Sequence, residues 1–133
     1  MKNLIKLMVV LVFCITNLLK VNAQQDFTGV WSLSTEISEF SISINQVNNV
    51  ITGNHCSISN NGEKIDCAEA TETTLVGLVV GDSITLTFAS SFSLEKGTAN
   101  IKKINSSTIE WKIITKPKGD FYIPMCAILT KEN

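Results

Sequence analysis

The residues best equipped for chemistry in this 133-residue chain are few and far apart. His55 is the only histidine and stands beside Cys56; Cys67 follows, and Cys126 lies near the C-terminus. A nucleophilic cysteine wants a histidine base, and the single candidate is committed to the neighbourhood of Cys56. Thiolate pairs at zinc-finger spacing are absent and no second histidine exists, so a metal site is not expected. The acidic residues Glu36, Glu39, Glu63, Asp66, Glu69, Glu72, Asp82, Glu95, Glu110 and Asp120 scatter over turns and outward strand positions and read as solvated surface. No two of them sit as an acid–base pair on one strand face. Phosphate-loop and nucleophile-elbow motifs are missing. The sequence therefore points to a protein that is not an enzyme and needs no cofactor.

These side chains must be carried by strands. Phe40, Ile42 and Ile44 alternate with Ser41, Ser43 and Asn45; Ile84, Leu86 and Phe88 with Ser83, Thr85 and Thr87; Ile109, Trp111 and Ile113 with Thr108, Glu110 and Lys112. Period-two alternation marks strands with one buried and one wet face. Turn signals at Asn48-Asn49, Asn61-Gly62, Gly81-Asp82 and Asn105-Ser106 separate them. Strands are predicted at 28–34, 39–48, 50–60, 63–67, 74–80, 83–91, 97–104, 107–115 and 122–131, with 50–60 and 63–67 as a protruding hairpin. The expected fold is all-β: a single antiparallel meander of about eight strands closed into a small up-and-down barrel, which hides its edges. An open sandwich is the alternative.

The Asn61-Gly62 turn sets a register. With those two residues as the loop, Ile58 faces Ile65 and Cys56 faces Cys67, so a Cys56–Cys67 disulfide is expected. Counted outward from the turn, that pair falls on a hydrogen-bonded site, where Cα atoms lie farther apart, unless a bulge intervenes. Two free buried thiols are the alternative. Cys126, on the last predicted strand, is expected to be a buried thiol.

The N-terminus reads as an address. Lys2 and Lys6 precede an apolar run from Leu7 to Ile15, and Val21-Asn22-Ala23 ends in a small residue. This is the pattern of a cleavable secretory signal peptide over residues 1–23. Lys6, Thr16, Asn17 and Lys20 interrupt the apolar stretch that a membrane span would need. Residues 24–133 would then form one exported domain, periplasmic or extracellular, with no membrane span. Oxidising compartments preserve disulfides. Residues 1–23 hold three of the 11 basic residues and none of the 12 acidic ones, so the remainder carries a charge of −4. It contains no Arg. Nucleic acid and anionic membrane surfaces are thereby disfavoured as partners. The Asn-, Lys- and Ile-rich composition suggests a bacterial chain.

Thr28-Gly29-Val30-Trp31 resembles the Gly-x-Trp opening of the first strand in the calycin superfamily of lipocalins, fatty-acid-binding proteins and avidins. Ile51-Thr52-Gly53-Asn54-His55-Cys56-Ser57, Leu75-Val76-Gly77, Trp111 and Leu129-Thr130-Lys131 are similar to later avidin strands. The resemblance implies a barrel with Trp31 plugging one end, Gly29 admitting close backbone approach, and Lys131 lying over the Trp31 ring. It does not extend to the biotin cage. Leu33, Ile37 and Ala127 stand at positions where avidins place polar ligands, and only His55 and Ser57 keep polar character. Alternation puts Phe40, Ile42, Ile44, Phe88 and Trp111 in the lumen, and the phase implied by the resemblance adds His55 and Ser57, as candidate ligand-binding residues. Such a lining suits a small apolar or amphipathic ligand, and equally a packed core. Two functions follow as expectations: a ligand-binding barrel, or an exported protein-binding module acting on a secreted partner through loops such as 116–124.

Overall fold

The computed structural model describes residues 1–3, 5–6 and 25–133. The leader expected at residues 1–23 and its cleavage site therefore lie almost wholly outside the described residues. Among those residues no helix is long and apolar enough to cross a membrane.

Among the described residues nine strands follow one another: β1 Gly29–Ser34, β2 Glu39–Val47, β3 Val50–Ser59, β4 Lys64–Cys67, β5 Leu75–Val80, β6 Ser83–Phe88, β7 Gly97–Asn105, β8 Thr108–Thr115 and β9 Cys126–Lys131. All pairings are antiparallel. Eight strands close into a ring, β1-β2-β3-β5-β6-β7-β8-β9, and β4 lies outside it on the upper half of β3. The expected meander barrel is present. Its architecture agrees with the calycin resemblance without being specific to it. Tight turns join β2–β3, β5–β6 and β7–β8 at one end, while the longer connections 68–74, 89–96 and 116–125 gather at the other.

The alternation read from the sequence sets the core. Phe40, Ile42, Ile44, Ile84, Leu86, Phe88, Ile109, Trp111 and Ile113 are all buried. The tight-turn end is stoppered by Trp31 and Phe27, both fully buried. Trp31 Nε1–H donates to the Phe27 carbonyl at 2.9 Å, and Lys131 Nζ stands 5.5 Å from the Trp31 ring centroid. Gly29 has φ +140°, and a Cβ there would meet Lys131 Cε at 2.7 Å. A larger residue would thus push Lys131 off the ring.

The β3–β4 hairpin keeps the expected register, with Cys56 opposite Cys67 and Ile58 opposite Ile65. Cys56 and Cys67 are bonded, their Cα atoms 3.9 Å apart. The hydrogen-bonding phase is the reverse of that expected. Ala68 N–H donates to the His55 carbonyl, so the 55/68 pair is hydrogen-bonded and the 56/67 pair is the close, non-hydrogen-bonded kind. The turn absorbs the difference: Asn60, Asn61 and Gly62 all take positive φ in a 3-10 turn rather than forming a two-residue loop.

Two other expectations are corrected. The last strand begins at Cys126 and not at residue 122, because Tyr122–Met125 cross the open end. Within β9 the inward positions are Ala127 and Leu129, which leaves Cys126 exposed.

Candidate functional site

The open end is organised by a carboxylate. Asp66 on β4, expected at the surface, is fully buried. His55 Nε2–H donates to its Oδ1 at 3.1 Å, Ser91 N–H to Oδ1 at 3.0 Å and Tyr122 N–H to Oδ2 at 3.0 Å, and Ser90 Oγ–H donates to Oδ2. Thr74 Oγ1 lies 2.8 Å from His55 Nδ1, so both ring nitrogens are occupied. Burial alone would push the Asp66 carboxyl up, but the bonds from His55, Ser90, Tyr122 and Ser91 outweigh it and hold it at about 2. One ionised side chain thus ties β3, β4 and the loops around 90 and 122 together.

The trio Thr74, His55 and Asp66 contains the groups of a hydrolytic triad but is not assembled as one. All three side chains are buried, and Thr74 meets Nδ1 while the carboxylate holds Nε2. A hydroxyl nucleophile needs room for a substrate beside it, and Thr74 and His55 are both buried. Among the described residues no cluster of three or more His, Cys, Asp or Glu could hold a metal. Nothing in that part of the chain forms a recognisable active site.

Segment 116–125 closes the barrel. Ile123 is buried, Ser57 Oγ–H donates to the Tyr122 carbonyl at 2.8 Å, and Trp111 Nε1–H donates to the Pro124 carbonyl at 2.9 Å. Below this stopper Trp111 packs edge-on against Phe40 at 5.4 Å and Phe88 at 5.6 Å. Ile42 and Ile44 lie deeper, opposite Trp31 and Gly29. The structure thus brings Phe40, Phe88 and Trp111 into contact, while His55 and Ser57 are spent on holding loops. Beside the stopper, Phe92 and Leu94 are exposed, and Phe92 meets Tyr122 edge-on at 4.9 Å.

The ring is not zipped along its whole length. β1 and β9 pair only at Trp31–Lys131 and Ser32–Thr130, then diverge. A cleft of about 200 Å3 opens there, lined by Leu33, Phe40, Ser57, Tyr122, Pro124 and Ala127, with Glu39 and Cys126 also on its wall. Leu33 shares the inward phase of Trp31 yet is 39% exposed, because no strand covers it.

Comparison with family models, curated proteins and solved structures gives no match. The site must be read from its own geometry.

Asp66 carries a signal in the sequence that its charge conceals. The register that sets Cys56 against Cys67 also sets Ser57 against Asp66. Directly opposed residues share a face, so an inward Ser57 requires an inward Asp66. The cleft had no comparable signal, since it arises where a predicted pairing stops.

Proposed function

We propose that this chain is an exported, non-catalytic binding protein on a calycin-like barrel, and that it takes a small apolar or amphipathic group in the β1–β9 cleft. The observation that carries the reading is the open seam: Leu33 is exposed and the cleft runs inward to Phe40. The lumen residues expected to bind ligand are engaged with each other, Trp111 against Phe40 and Phe88. At about 200 Å3 the cleft falls below the roughly 300 Å3 at which drug-sized pockets begin. It suits one compact group, such as a short alkyl chain or a single ring.

A protein-binding module is the second reading, favoured by exposed Phe92 and Leu94 beside Tyr122 at the same end. Thermal shift with small alcohols, short fatty acids and indole separates the two. Wild type should gain several degrees at saturating ligand. Ala127→Phe, which fills the cleft from β9, should gain nothing, and Phe92→Ser should behave as wild type. Ligand response unchanged in Ala127→Phe would sink the cleft reading. Loss confined to Phe92→Ser would move the site to the loops.

Export belongs to the same proposal, resting on the Lys2-to-Ala23 leader. Intact mass of the exported protein, alkylated without reduction, should correspond to a chain beginning at Gln24 with a single label on Cys126. A full-length product, or labels on Cys56 and Cys67, would contradict it.

A further inference from the structure

The edge of β9 that faces the cleft is an unfinished ladder. Lys131 N–H donates to the Ser107 carbonyl, and Ile113 N–H donates to the Met125 carbonyl, so odd positions of β9 bond to β8. Glu132 N–H donates to the Val30 carbonyl, so even positions face β1. Continuing that register would set Ser34 opposite Ile128, but the pairs end at Ser32–Thr130. The chain after Ser34 has turned instead into a tight loop, where Thr35 N–H donates to the Ser38 carbonyl. The N–H and C=O groups of Cys126 and Ile128 are therefore directed into the seam with no strand to receive them, and both residues are exposed.

We infer that the occupant of the seam is an extended peptide, added to the β9 edge as an antiparallel strand. This rests on the cleft reading above and specifies what carries the apolar group. Directly opposed residues share a face, so a peptide residue set against inward-facing Ala127 directs its side chain into the cleft between Leu33, Phe40 and Pro124. Its neighbours meet the backbone groups of Cys126 and Ile128, the division of labour seen wherever a peptide is recognised by strand addition. A free small molecule would use the pocket but leave those four backbone groups unmatched. Charge narrows the partner. Glu39 lies on the cleft wall and exposed Glu36 follows β1, so the peptide carries Lys or Arg beside its apolar anchor.

The test uses displayed linear peptides with one central Leu, Ile or Phe flanked by Lys, selected on the disulfide-bonded protein. A peptide so selected should bind wild type and lose ~10-fold or more in affinity when its backbone is N-methylated beside the anchor, since one ladder bond is removed. Ile128→Pro should cause a similar loss, because its N–H is not used within the barrel and edge positions tolerate proline. That variant should still give the indole and fatty-acid thermal shift, whereas Ala127→Phe should lose both responses. Peptide affinity unchanged by N-methylation would overturn strand addition, whatever Ile128→Pro does. Small-molecule shifts with no peptide selected would overturn it too, and leave the cleft reading standing. Neither response would remove both.

Discussion

Asp66→Ala should cost the fold about 3–5 kcal/mol, because several buried donors lose their acceptor together and each unsatisfied one costs about 1–3 kcal/mol. His55, Ser90 and two backbone N–H groups would lose their common acceptor at once. Each buried donor left unsatisfied carries its own desolvation penalty. The same network fixes an acid dependence. The folded-state pKa of Asp66, about 2, lies below its ordinary value of 3.8, so the ionised form favours the folded state. That contribution is complete above the ordinary value and vanishes as pH falls through about 2; the difference corresponds to about 2 kcal/mol. Urea unfolding at neutral pH, repeated down to pH 2, measures both quantities. In Asp66→Asn, which keeps the shape without the titration, this part of the acid slope should be absent. A loss below about 1 kcal/mol in Asp66→Ala would mean that the loops are held by packing and not by the carboxylate.

Why the sequence concealed this residue is a matter of hydropathy on a short strand. β4 reads Lys64-Ile65-Asp66-Cys67, and an apolar-inward rule buries Ile65. The structure does the opposite, leaving Ile65 54% exposed and Asp66 fully buried. β4 lies outside the ring, so its inner face covers loop backbone whose N–H groups need an acceptor rather than a hydrophobic core. Long strands with sustained alternation, β2, β6 and β8, were legible because each inward position meets side chains of the same kind across the barrel. The Cys56–Cys67 pair was legible because a turn residue pattern sets a register. Cys126 was not, since a polar-apolar mixture on β9 shows no alternation of its own, and the inward face belongs to Ala127 and Leu129. The cleft depends on where β1 bends away from β9, and no residue type announces that.

Phe88→Ala should destabilise the protein by about 3–5 kcal/mol, as buried Phe truncations do. Phe88 is fully buried, stacks edge-on to Trp111, and rests on Gly97, where a Cβ would come within 2.7 Å of its ring. The strand opposite has thus been cut back to glycine to seat this ring, and its removal leaves a void that nearby backbone cannot fill by side-chain movement alone. Such a void, lined by Trp111, Leu75 and other apolar groups, should stay dry and accept a ring-sized apolar molecule. Benzene should therefore raise the melting temperature of Phe88→Ala by clearly more than it raises that of wild type, in which only the cleft is open to it. The outcome discriminates between sites as well as measuring packing. A small stability loss, together with a changed affinity for the fatty acids and indole that shift wild type, would show that ligands occupy the lumen beside Phe88. A large loss with wild-type ligand response retained places binding outside the Trp111–Phe88 contact, at the seam where β1 and β9 part.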